Sequence, residues 1–80
     1  MAAKPRKEID IATYAGRFAV RLRMLREKAK LSVEELAEKS GIPRTTIYNW
    51  ESSISEPSIG QLSVIASALG VSVRKLMPEE

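Results

Sequence analysis

Eighty residues carrying a formal net charge of +3 suffice for one small domain, and a chain of this length removes only about 60–65% of its unfolded surface from water. The sequence contains neither Cys nor His, so disulfides, thiolate or imidazole metal sites and the usual general base are all excluded; no enzyme, no metal and no cofactor are expected. No apolar run approaches the ~18 residues of a membrane span, and the N-terminus lacks the apolar stretch of a secretory signal, which predicts a cytoplasmic protein with no membrane partner.

Residues 1–9 form a short basic lead, Lys4-Pro5-Arg6-Lys7 at its centre, without apolar periodicity. They are expected to be a flexible arm in front of a single domain over residues 10–80. Helix 1 follows, with Ile11, Tyr14, Ala15, Phe18, Leu22, Leu25 and Ala29 spaced by three and four. Gly16 interrupts the pattern and marks either a late start or a kink. Most arginines lie on the opposite stripe. Residues 1–30 hold nine basic and three acidic residues, a balance of +6, whereas residues 31–80 hold four basic and seven acidic, a balance of −3. That asymmetry suits a molecule with one side against a polyanion, although basic helix faces are commonly just solvated.

Ser32-Val33-Glu34-Glu35 reads as a capping box, with the Ser32 hydroxyl and the Glu35 carboxylate each satisfying the other's backbone amide. Helix 2 then runs from about 33 to 39 and buries Leu36 and Ala37. Gly41 supplies the left-handed backbone that closes it and turns the chain. Pro43 suits the first turn of helix 3, about 43–52. At 100° per residue, Pro43, Ile47, Trp50 and Ile54 gather on one side. Thr45, Tyr48, Asn49 and Ser52 gather on the other, with Arg44 at the edge and no acid except an inward Glu51.

Ser53–Pro57 is expected to be a loop. A second capping box, Ser58-Ile59-Gly60-Gln61, opens helix 4, whose inner face is Ile59, Leu62, Ile65, Ala66 and Leu69. Gly70 ends it. Ser72 caps a short fifth helix with Val73, Leu76 and Met77, stopped by Pro78. The pattern is all-α.

Two short helices joined at a Gly-centred turn form a helix-turn-helix, and at this point the chain resembles the lambda-repressor-like family, the Cro and phage-repressor type of transcriptional regulator. The likeness runs from about Phe18 to Leu76. It is carried by Ala37, Gly41, Ile47 and Trp50, then Glu56-Pro57-Ser58, Leu62, Ile65-Ala66, Ala68 to Ser72, and Leu76. The resemblance implies a compact five-helix DNA-binding domain in which helix 3 enters the major groove of double-stranded DNA, with helices 2 and 3 as the motif. It further implies a repressor working as a homodimer on a two-fold operator, with part of Val71, Val73, Leu76 and Met77 as the dimer patch.

On the same resemblance, Arg44, Thr45 and Asn49 are the candidates for base edges, with Thr46, Tyr48 and Ser52 as flanking or phosphate contacts. The chemistry agrees: Arg pairs bidentately with guanine, Asn with adenine, and a Thr methyl meets the thymine methyl. Val33 stands where relatives commonly carry a Gln, so only its backbone amide is offered to a phosphate. Lys30 stands where Gly or Asn is frequent. Arg21 is a weaker candidate for phosphate contact. Arg26 and Glu51 are expected to form an ion pair between helix 1 and the end of helix 3. The competing reading is a protein-interaction module, such as an antitoxin subunit or a transcriptional coactivator.

Overall fold

The computed structural model describes residues 13–77. The proposed arm, Ile11 and Pro78 lie outside them. Among the described residues there are five helices and no strand: α1 (Tyr14–Lys28), α2 (Val33–Ser40), α3 (Arg44–Glu51), α4 (Ile59–Leu69) and α5 (Val73–Leu76). α1 packs on α3 and α5, α2 packs on α3 and α4, and α4 closes on α5. The third helix is thereby held between the first two.

Local chemistry sets the helix starts. Both expected capping boxes are formed, Ser32 with Glu35 and Ser58 with Gln61. Thr13 caps α1 by accepting from the Gly16 amide at 3.0 Å. Of the two expected meanings of Gly16, the late start is the one found, because this glycine sits buried in the first turn. Pro43 is the cap residue of α3 rather than its first helical residue, with extended backbone at ψ 142°.

Helix ends divide into two kinds. α2 and α4 close on Gly41 (φ 78°) and Gly70 (φ 74°), where a left-handed backbone costs glycine almost nothing. α1 and α3 are followed by the same left-handed geometry at Lys30 (φ 62°) and Ser53 (φ 57°). In three of these turns the next amide reaches back five residues: Leu31 to Arg26 at 3.2 Å, Ile54 to Asn49 at 2.8 Å and Val71 to Ala66 at 3.0 Å. Lys30 therefore does the work of a glycine in its turn.

The core is built from Phe18, Leu22 and Leu25 of α1, Leu36 of α2, Ile47 and Trp50 of α3, Leu62, Ile65, Ala66 and Leu69 of α4, and Leu76 of α5. Phe18 meets Trp50 edge to face, ring centroids 6.2 Å apart, the favoured geometry for an aromatic pair. Ile42, in the turn, also reaches the core.

Three expectations need correction. Ile54 lies beyond the end of α3 and is 64% exposed, because the left-handed Ser53 takes the chain off the helical path before the inner stripe returns. Ile59 occupies the first position of α4 and is 83% exposed, because residues 58–61 are all exposed and the buried stripe begins only at Leu62. Pro43 is exposed instead of joining Ile47 and Trp50. Of the four residues expected to divide between core and dimer patch, Leu76 is fully buried and Val71 and Val73 pack against the core, leaving Met77 as the exposed one.

Candidate nucleic-acid interface

The candidate surface begins with a tight joint. Gly41 closes α2 by donating its amide to Ala37 at 2.8 Å. The Ser40 hydroxyl donates to the same carbonyl at 3.4 Å and accepts from the Ile42 amide at 3.1 Å. Ile42 is buried, which pins the turn to the core. Ala37, small and half-buried, lets α3 cross α2 closely. These contacts fix the angle at which α3 leaves the body.

On α3, side chains separate by direction. Ile47 (0% exposed) and Trp50 (1%) are sunk in the core. Arg44, Thr45, Tyr48 and Asn49 are all exposed, and with half-buried Ser52 they occupy an arc of about 140°. Thr46 sits half-buried at the flank between that arc and Trp50. No side chain caps the N-terminus of α3, so its positive end lies bare beside Arg44 and Thr45. The face carries a cation, hydroxyls and an amide on a convex element, which suits hydrogen bonding to base edges and phosphates.

The remaining two candidates fall elsewhere. The Val33 side chain is 5% exposed and part of the core, because the first helical position of α2 faces inward. Its side chain is therefore turned away from solvent, and its amide lies at the start of α2. Arg21 is half-buried on the flank of α1 that carries Leu25 and Lys28. That flank borders Leu69 and Val71, on the side away from the Arg26 flank that meets α3. The structure does not bring Arg21 together with the α3 residues.

Behind the face, Arg26 and Glu51 form the expected ion pair. The guanidinium donates twice to the carboxylate, at 2.7 and 3.0 Å, and once to the Leu31 carbonyl at 2.8 Å. Their side chains are only 12% and 10% exposed. Hydrogen bonding to Glu51 holds the Arg26 pKa above its ordinary value, outweighing the opposing effect of burial. A raised cation pKa contributes stability that is lost only as pH climbs through it, so Arg26 stays charged at every ordinary pH.

A residue that sequence reasoning did not place here is Glu34. It projects from the first turn of α2 toward α3, where its Oε2 accepts from the Tyr48 hydroxyl at 3.2 Å and lies 3.9 Å from Arg44 Nη1. In the sequence, Glu34 is one of two adjacent acids beside a cap. The capping box already assigns Glu35 to the cap, and only the crossing of α2 and α3 shows that Glu34 serves the face. Among the described residues no cluster of acidic side chains is placed to hold a metal, and no helix is long and apolar enough to cross a membrane.

Comparison with known proteins follows this geometry. A family model described as Helix-turn-helix matches residues 22–76. An uncharacterized HTH-type transcriptional regulator, YobD, of Bacillus subtilis (strain 168) is 38% identical over 56 residues, spanning 70% of this chain and 50% of that protein. The immunity repressor protein of Bacillus phage phi105 is 33% identical over 60 residues, spanning 75% of this chain and 42% of the repressor. The chain thus spans half or less of the curated relatives it matches. Among solved structures, the restriction-modification controller protein C.AhdI from Aeromonas hydrophila superposes with a TM-score of 0.74 at 34% identity, covering 76% of this chain and 92% of that one.

Proposed function

Because this chain belongs to the helix-turn-helix family of transcriptional regulators, we propose that it is a sequence-specific DNA-binding repressor that inserts α3 into the major groove. Arg44, Thr45 and Asn49 read base edges, and Thr46, Tyr48 and Ser52 flank them or meet phosphates. The amide of Val33, at the positive end of α2, approaches a phosphate. Arg21 is left out of this surface, since it stands on another flank of the molecule.

One observation carries the reading: α3 is anchored from behind by Ile47, Trp50 and the Arg26–Glu51 pair, while its opposite side is exposed and presents Arg44, hydroxyls and an amide. A helix fixed on one side and bare on the other is what groove insertion requires. The likeness to a phage immunity repressor supports a repressing role. A single unit reads few base pairs, so two copies act on half-sites about one helical turn apart, in the cytoplasm.

Selection of bound sites from a random duplex library tests this directly. A recovered two-fold sequence is the expected outcome, with affinity falling steeply as salt is added through counterion release. Recovery of no preferred sequence, together with salt-insensitive binding, would overturn it in favour of a protein-interaction module.

A further inference from the structure

Glu34 raises a question that the proposed reading of α3 does not answer: why a carboxylate sits on a surface meant for DNA. Its neighbour Glu35 is committed to the capping box, accepting from the Ser32 amide at 2.8 Å. Glu34 has no such duty. It spans instead to two residues of the candidate reading face, Tyr48 and Arg44. The Glu34 and Arg44 side chains are 54% and 64% exposed, and an ion pair so open to water adds little to folding. Its effect must therefore be sought in binding.

Three partners compete for the Arg44 guanidinium when DNA approaches. A phosphate also offers two oxygens to the guanidinium fork, but it is an anion and must come within a few ångströms of the Glu34 carboxylate, which repels it. A guanine edge offers two acceptors, O6 and N7, in the geometry of the guanidinium fork and without net charge. Glu34 itself is the third. Its single long contact at 3.9 Å is weak enough to be replaced by a bidentate base contact. It is also close enough to keep Arg44 from wandering to the backbone.

Resting on the reading of α3 as the groove-entering helix, we infer that Glu34 is a specificity-determining residue: it holds Arg44 off phosphates and releases it only to an uncharged base edge with paired acceptors. On unrelated DNA the Arg44 charge stays matched by Glu34 and releases no counterion. On the right site it is exchanged.

The test measures binding of the full chain to two duplexes over a range of salt: one recovered by selection with the wild type, and one of random sequence and equal length. Glu34→Gln keeps an acceptor oxygen but removes the charge. It is expected to tighten binding to the random duplex by roughly three- to fivefold, the reach of an exposed pair. The selected duplex should gain less, so that discrimination narrows. The salt slope on random DNA should steepen by about 0.9, one extra phosphate neutralised. Glu35→Gln removes a charge from the same turn while preserving the cap, and should change both affinities by less than about twofold. In an Arg44→Ala background, Glu34→Gln should likewise lose its effect.

Equal tightening on both duplexes, an equal effect from Glu35→Gln, or persistence of the effect without Arg44 would each reduce Glu34 to general charge and overturn the inference. If the wild type selects no sequence, the reading of α3 fails instead. The salt slopes on random DNA then still report whether Glu34 restrains Arg44.

Discussion

The two ends of α3 are each tied to a neighbouring helix by an arginine and a glutamate, and the two ties could hardly differ more. At the C-terminal end, Arg26 and Glu51 are about nine-tenths buried and joined at 2.7 and 3.0 Å. At the N-terminal end, Arg44 and Glu34 are more than half exposed and 3.9 Å apart. Burial removes water as a competitor, so the first pair has nowhere else to go once the chain folds. Water and any approaching ligand compete freely for the second. The same two side chains thus serve as a fixed anchor at one end and an exchangeable contact at the other, and only solvent access separates the roles.

Truncating the anchor is the most severe way to break that comparison. Arg26→Ala leaves Glu51 charged, desolvated and without its two hydrogen bonds, and is expected to cost about 3 kcal/mol, the lower end for a buried pair because some solvent access remains. In a domain of this size each kcal/mol lowers the thermal midpoint by about 4–8 °C, so the loss is plain in a melting curve. Replacing both partners, as Arg26→Met with Glu51→Leu, removes the orphaned charge along with the pair and should recover most of the loss. An unchanged midpoint in Arg26→Ala would show that the pair anchors nothing.

The opposite end should respond in binding, not folding. Arg44→Ala is expected to weaken binding to a selected site by roughly 1–3 kcal/mol and to leave random DNA nearly unaffected. Its folding stability should stay within about 0.5 kcal/mol of wild type, since an exposed side chain supports little structure. A uniform loss on both DNAs would make Arg44 a phosphate contact and remove the contrast between base reading and backbone contact.

The contrast also marks where sequence reasoning succeeds. Capping boxes, the closures at Gly41 and Gly70, and the inward pair Ile47 and Trp50 are visible because each depends on residues within a few positions of one another. The Arg26–Glu51 pair spans 25 positions and was accessible only through family resemblance. Glu34 was legible by neither route, since periodicity records which side of its own helix a residue occupies and not which neighbour crosses there. Apolar spacing overextends the inner stripe at Ile54 for a related reason: it continues past the end of α3, whereas the backbone is diverted by the left-handed Ser53, a residue type that signals no such turn. It overextends at Ile59 because spacing does not show that the first turn of α4 lies outside the core.

That serine offers the subtlest test of the anchored end. Ser53 follows the last turn of α3 with φ 57°, and the Ile54 amide completes the closure on Asn49 at 2.8 Å. A left-handed backbone costs a non-glycine residue roughly 1–2 kcal/mol, while glycine gives back about 0.5–1 kcal/mol through the greater freedom of its unfolded chain. Ser53→Gly should therefore stabilise the fold by about 0.5 kcal/mol, the difference between those terms. Denaturant midpoints resolve a change of that size when the transition slopes match. Binding to a selected duplex should not move, because Ser53 shapes the end of α3 held by Glu51 and Trp50 and lies beyond the exposed arc that begins at Arg44. A gain in stability with altered DNA affinity would mean that the two ends of the helix are mechanically coupled, and that anchoring one retunes the other.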